Sequence, residues 1–315
     1  MEERERQQTI IRQKPGGMFY HYTTQEGLLG ILKNKSKCIW ASHIRYLNDL
    51  SEGRVFLDTF SEIIKDYKDR VGLAPQGDAQ KLNRAIRGFK QIIASQDVFV
   101  TSFSRHGDLL SQWRAYSGKS GGYSIGFTGE YIDAINKGFL STHAEQFYKD
   151  PAPFLSCQYG GAYLKKVFPE QRANDSADPP RQATSLFSMQ GERLKNDKKS
   201  QTSFLDKEEF FFTFVKGSAI TKHEGFRDEE EWRMTFMQKP DSIFNDLKFR
   251  PGSSMPIPYL EAPLNLDGRR IGIQKILVGP CPHPKEAIRA VEILLKSEGI
   301  ASVQVLASKI PYRNW

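Results

Sequence analysis

The chain has 315 residues, of which 39% are hydrophobic and 26% charged, the composition of an ordinary globular protein with material for a substantial core. Its 45 Lys and Arg against 37 Asp and Glu leave a net charge of +8, which favours anionic partners such as nucleotides, nucleic acid or a membrane surface. The opening residues are charged and lack an apolar run, no segment approaches the ~20 apolar residues of a membrane span, and three widely spaced cysteines (Cys38, Cys157 and Cys281) imply no disulfide framework. These features exclude a membrane-spanning protein or a disulfide-stapled scaffold and lead us to expect a cytoplasmic protein.

Residues 1–14 are polar and read as an N-terminal arm, ended by the breaker Pro15-Gly16-Gly17. The aromatic run MFYHYT, starting at Met18, predicts a strand. A helix follows, with Thr23 and Glu26 at capping-box spacing ahead of Leu28, Leu29, Ile31 and Leu32. CIWAS, starting at Cys38, predicts a second strand. The next helix carries Phe56, Phe60, Ile63, Ile64 and Tyr67 on one face. A further amphipathic helix over 79–94 pairs an apolar stripe with a cationic face of Lys81, Arg84, Arg87 and Lys90, a surface able to meet nucleic-acid phosphates or simply to be solvated.

DVFVTSFS, residues 97–104, is a strong strand, followed by a helix bearing Leu110, Trp113 and Tyr116 and by the strand GGYSIGF at 121–127. Residues 165–207 are rich in Pro, Asn, Asp, Ser and Lys and read as an insertion or lid. The apolar helix of KEEFFFTFVKG, the strand EWRMTFM at 231–237 and a closing strand–helix–strand unit, its helix opened by Pro284, complete the chain. Strands and helices do not alternate regularly, so the expected class is α+β. The expected organisation is the arm 1–14 and a single domain over 15–315, with a helical insertion at about 53–95 and the polar insertion at about 165–207.

Several motifs fail. AYSGKS resembles the end of a phosphate-binding loop, but Trp113 stands where the first glycine belongs. GGYSIGFTG does not spell a dinucleotide fingerprint, and no CxxC pair or HExxH supports a metal site.

Four segments place polar residues in or beside strands: YHYTT at 20–24, SFSRHGDLLSQWRAYS at 102–117, GGYSIGF at 121–127 and HEGFRDEEEWR at 223–233. Together they resemble a large bacterial family of mostly uncharacterised proteins marked by HYT, WAS…LND..E, SFS…LSxWxxY and FxxExEWR stretches. Here those are His21-Tyr22-Thr23, then Trp40-Ala41-Ser42 with Leu47-Asn48-Asp49 and Glu52, then Ser102-Phe103-Ser104 with Trp113 and Tyr116, then Phe226, Glu229, Glu231, Trp232 and Arg233. The order of a first-strand His, a later aromatic and a late Glu also resembles the His-Tyr-Glu ADP-ribosyltransferases. That resemblance implies an ADP-ribosyltransferase-like split β-sheet core that binds NAD as co-substrate, with no metal.

By the same resemblance His21, Tyr116 and Glu231 are the catalytic set. His21, Tyr22, Thr23, Ser102, Phe103, Trp113, Tyr123 and Glu229 are the cofactor-binding set. Phe103 stands where the pattern carries Tyr, and Tyr116 and Tyr123 are the aromatic replacements.

The chemistry suits these residue types. Breaking a nicotinamide–ribose bond builds positive charge on the ribose, which a fixed carboxylate stabilises. Flat aromatic side chains sandwich the leaving ring, and arginines in the polar turns meet the pyrophosphate. Each residue also has a plain structural role open to it: His21 as a satisfied core histidine, Glu231 as the partner of Arg233 or Arg227, and Trp113 and Tyr116 as core at helical spacing. The expected function is an ADP-ribosyltransferase, a toxin or antiphage effector acting on a macromolecule such as RNA or DNA, with an antitoxin or inhibitory protein as a further partner. The alternatives are a NAD glycohydrolase and a degenerate nucleotide- or nucleic-acid-binding module.

Overall fold

A computed structural model describes residues 15–33, 37–47, 53–71, 87–88, 90–91, 93, 95–118, 121–150, 153–167, 214–239, 242, 245–252, 254–265 and 271–313. The arm 1–14, Asn48, Asp49, Glu52, the cationic residues Lys81 and Arg84, and positions 168–207 of the polar insertion lie outside the described residues.

The elements in chain order are β1 (Met18–Thr24), α1 (Gln25–Lys33), β2 (Cys38–His43), α2 (Arg54–Val71), β3 (Val98–Ser104), α3 (Leu110–Tyr116), β4 (Gly122–Thr128), α4 (Gly129–Thr142), β5 (Phe154–Ser156), β6 (Gln158–Tyr159), α5 (Ala162–Val167), β7 (Thr221–Lys222), β8 (Glu231–Met237), β9 (Lys248–Pro251), β10 (Pro256–Pro263), β11 (Ile273–Val278), α6 (Pro284–Ser297) and β12 (Gln304–Ala307). The class is α+β with a mixed sheet, and no helix among the described residues is long and apolar enough to cross a membrane. Two compact units share the chain. The first comprises Met1–Asn48, Asp97–Cys157 and Gly225–Trp315, and the second Asp49–Gln96 and Gln158–Glu224.

The first unit is built on a 10-stranded sheet with the path β12-β11-β4-β1-β3-β2-β10-β9, while β8 pairs β3 and β5 pairs β8. Only the closing β11–β12 pair, joined through α6, is parallel in this sheet, as the strand–helix–strand pattern predicts. Alternation along the strands sends one set of side chains into an apolar layer: Phe19 from β1, Ile39 and Ala41 from β2, Phe99 and Phe103 from β3, Trp232, Met234 and Phe236 from β8, and Leu260 and Ala262 from β10. Helices α1, α4 and α6 cover this layer with Leu28, Ile31, Ile132, Phe139, Val291 and Leu295. At its centre Phe19 meets Phe154 and Trp232 edge-on, both at 4.9 Å between ring centroids.

The cap of α1 differs by one residue from the expected Thr23: Thr24 Oγ1 accepts from Gly27 N–H at 3.2 Å. The helix begins at Gln25, which makes Thr24 the residue whose side chain reaches the third N–H of the first turn.

In the second unit, Phe56 and Phe60 of α2 are buried and pack on Phe214 at 5.5 and 4.9 Å. A short parallel pair, β6 with β7, accompanies them. The side chains of Ile64 and Tyr67, expected on the same face, lie outside what is described.

Phe19 is fully enclosed, so its truncation leaves a cavity beside the Phe154 and Trp232 rings. Phe19→Ala is expected to cost about 3–5 kcal/mol in urea unfolding followed by tryptophan fluorescence. A loss under about 1 kcal/mol would show that this cluster does not hold the sheet to its helices.

Candidate functional site

The sheet forks at β3. One edge of β3 is occupied along its whole length by β8, from Val98↔Met237 to Ser104↔Glu231. On the other edge β2 pairs at Ser42↔Val100 and His43↔Phe99, and β1 at Tyr20↔Ser104. Between these two attachments β1 and β2 part, so the Thr101–Phe103 stretch of that edge has no strand partner among the described residues. Side chains substitute for the missing ladder. His21 Nδ1 lies 3.0 Å from the Ser102 carbonyl oxygen, and Thr101 Oγ1 donates to the Trp40 carbonyl at 3.0 Å.

His21 is therefore the residue that closes the fork. A carbonyl only accepts, so Nδ1 carries the proton and Nε2 is left as the acceptor. Burial holds the imidazole below its ordinary pKa, against the opposing pull of the Ser102 carbonyl. A histidine whose pKa is lowered by folding contributes stability that is complete above its unfolded pKa of about 6.5 and is lost as pH falls through that value toward the folded one. His43, hydrogen-bonded to Asp97 at 3.1 Å, is shifted the same way, again chiefly by burial.

The facing of the strands separates the residues expected to act together. The pairs Phe19↔Phe127 and His21↔Ile125 put His21 on the apolar side of the sheet, with its ring 5.8 Å from Phe103. Glu231 stands opposite Ser104, which stands opposite Tyr20, and this row points to the other side of the sheet. His21 and Glu231 thus face away from each other. The next row on the Glu231 side holds Ser102 and Arg233.

Glu231 and Arg233 are 5% and 1% exposed, and Arg233 Nε donates to Glu231 Oε1 at 2.7 Å. Both sit on β8 two residues apart, so strand alternation alone aims them together. Tyr20 is half-buried over Gly126 and under Gly107, where a Cβ would come within 2.9 and 2.6 Å of its ring. Burial raises the Tyr20 phenol pKa. Among the described residues, neither the Tyr20 nor the Ser102 hydroxyl has a hydrogen-bond partner. Trp40, half-buried on β2, lies on this same side of the sheet, its ring 4.6 Å from that of Tyr259.

The other expected ligand-binding residues are dispersed. Tyr22 is enclosed: its hydroxyl donates to the His106 carbonyl at 2.7 Å and accepts from Leu109 N–H at 3.0 Å, and its ring meets Trp113 edge-on at 4.8 Å. Trp113 is 1% exposed and donates Nε1–H to Asp108 Oδ1 at 2.7 Å. Neither ring offers a face to a ligand. Tyr116 ends α3, half-buried. Thr23 and Tyr123 are paired across β1 and β4 on the apolar side, and Tyr123 lines a hollow of about 220 Å³ with Gln25, Val278, Cys281 and Glu286. Glu229 closes a 3-10 turn, and its carbonyl accepts from Ser104 Oγ at 2.7 Å. Among the described residues there is no group of three or more His, Cys, Asp or Glu able to hold a metal ion.

Three residues of this neighbourhood escaped the sequence reading of the site. Tyr20 is overshadowed by the HYT run beside it. Arg233 enters the sequence reading as a motif residue and as the partner Glu231 would have in a plain structural role, rather than as part of the site, and its place two residues on puts it on the same strand face. Asp108 sits in a polar turn where acidic residues are common.

Residues 112–234 match a family described as Protein of unknown function (DUF2971). That span includes Trp113, Tyr116, Tyr123, Glu229, Glu231 and Arg233 and leaves out His21 and Ser102. No curated protein and no solved structure matches the chain.

The shift at His21 is testable. Stability should fall as pH is lowered from about 7.5 to 5.5, and His21→Phe should show a shallower fall than the parent over that window, read by urea midpoints at each pH. Parallel pH profiles for the two proteins would remove His21 as an imidazole that the fold holds neutral.

Proposed function

We propose that the chain is an NAD-dependent ADP-ribosyltransferase of the ADP-ribosyltransferase-like split-sheet kind, with Glu231 as the carboxylate that meets the ribose. The observation that carries this reading is the buried Glu231–Arg233 pair on the strand flanking the fork, in line with Ser104 and Tyr20. Burying an ion pair in a sheet is unfavourable relative to apolar side chains of the same volume, so its presence argues for use. Arg233 fixes one carboxylate oxygen. The carboxylate then stabilises charge developing at the ribose as the bond to nicotinamide breaks, and it accepts the proton of the incoming hydroxyl or amine.

Tyr20 and Ser102 share the Glu231 side of the sheet and replace His21 and Tyr22 as the groups best placed to meet a ligand there. Trp40 adds a half-buried aromatic on that side. In this reading His21 acts through the Ser102 carbonyl and holds the fork. The net charge of +8 supports a nucleic-acid acceptor, RNA or DNA, as expected of a toxin or antiphage effector.

A second reading, a nucleotide-binding module without turnover, is favoured by two facts. Glu231 is enclosed and held by Arg233, and His21 faces the other side of the sheet.

One experiment separates these. Labelled NAD is incubated with RNA, DNA and protein acceptors, using wild type and Glu231→Gln. Transfer predicts labelled acceptor in the wild type and a loss of about 10²-fold or more in the variant, with NAD affinity changed less than about threefold. Because the variant removes the charge that Arg233 Nε meets inside the sheet, a thermal midpoint is read alongside. Release of free ADP-ribose alone identifies a glycohydrolase. Tight binding of intact NAD identifies the module, and undiminished turnover in a folded variant sinks the assignment of Glu231.

A further inference from the structure

Asp108 gathers three hydrogen bonds on one carboxylate. Trp113 Nε1–H and Ser308 Oγ–H donate to Oδ1 at 2.7 and 2.5 Å, and Lys309 N–H donates to Oδ2 at 2.8 Å. Two of these donors lie at the far end of the chain, beyond the last strand. The segment they begin is held further by Ser308 N–H on the Val278 carbonyl at 2.7 Å, and by the Arg114 guanidinium 5.5 Å from the Tyr312 ring centroid. The C-terminal segment 308–313 is thus fastened to the turn that leads into α3.

That turn is fastened in the other direction to the corner that carries Glu231. Arg105 N–H donates to the Glu230 carbonyl at 3.3 Å, His106 Nε2 lies 3.3 Å from Glu230 Oε1, and Ser104 Oγ donates to the Glu229 carbonyl at 2.7 Å. Glu230 itself has φ of 40°, a left-handed conformation that a residue with a Cβ adopts only when its surroundings hold it there. It is the residue immediately before Glu231. Loosening the 105–109 turn removes the Arg105 and His106 contacts to Glu230 and leaves it, among the described residues, only the hydrogen bond from its own N–H to the Arg227 carbonyl at 3.1 Å, and relaxation of Glu230 re-aims the strand end that presents Glu231.

We infer that Asp108 is a positioning residue: a latch through which the C-terminal segment sets the 105–109 turn and, by way of Arg105 and His106, the Glu230–Glu231 corner. The coupling is a property of the fold. Its effect on turnover rests on the reading of Glu231 given above.

Hydrogen exchange on the full chain tests the coupling directly. Asp108→Asn keeps the shape but leaves an amide with one acceptor oxygen for three donors. Amide exchange is expected to rise more than about tenfold in 308–313, in 105–109 and in 229–231 together, while the β4 and β11 amides keep their protection. Ser308→Ala, which deletes one arm and spares the Trp113 bond, should raise the same three segments by less. A rise confined to 308–313 in both variants overturns the latch.

With NAD as substrate, kcat in Asp108→Asn is expected to fall about tenfold or more, with KM little changed, because the carboxylate is misplaced while the remaining contacts persist. Coupled exchange in a protein whose wild type neither binds nor turns over NAD keeps the latch and sinks the enzymatic reading instead.

Discussion

The first unit depends on a single carbonyl that a side chain, not a neighbouring strand, satisfies. A strand that loses its neighbour part-way along leaves backbone acceptors facing an apolar layer, and an unpaired acceptor there is costly. At Ser102 the donor comes from a side chain, His21, whose ring reaches from β1 into the gap between β1 and β2. This explains several features at once. The imidazole has to be neutral with its proton on Nδ1, it has to be largely enclosed, and it cannot also turn toward the side of the sheet where Glu231 stands. The fork is open only as far as His21 allows.

Much of the layout was legible in the sequence because its strands carry their own signature. β-branched and aromatic runs marked β1, β3, β4 and β8 to within a residue or so, and Pro284 marked the start of α6. Other elements were hidden for identifiable reasons. The β9–β10 hairpin contains Pro251, Pro256, Pro258 and Pro263, a density that reads as loop. Pro256 and Pro258 fall where β10 pairs only with β9, and Pro263 ends the strand, so fewer ladder donors are missed than the sequence suggests. α4 begins at Gly129 and relies on a cap, Thr128 Oγ1 accepting from Tyr131 N–H at 3.3 Å, that no glutamate three residues on advertised.

The candidate site was legible in part for a different reason. Residue types and order identify Glu231, Ser102 and His21 as unusual, but they do not say which side of a sheet each occupies. Facing depends on the register between distant strands, and a shift of one residue reverses it. Tyr20 and His21 are neighbours in sequence and lie on opposite sides, so the more conspicuous histidine masked the tyrosine that shares a row with Glu231. The aromatic residues of α3 followed the commoner rule, that a large ring at helical spacing is packing. Trp113 closes over Tyr22 and Gly279 and leaves Asp108 as the polar group beside it.

The prolines of the outer hairpin have one more consequence. β9 ends the path of the sheet, and a terminal strand normally invites a stranger to continue the ladder. Here it is four residues long, carries Lys248 and Arg250, and finishes in Pro251. Its margin is short and charged and lacks the amide hydrogen of Pro251, which disfavours recruitment of a second chain. A protein with so wide a sheet is in this way guarded on that flank against the stacking of strand upon strand that seeds fibrils.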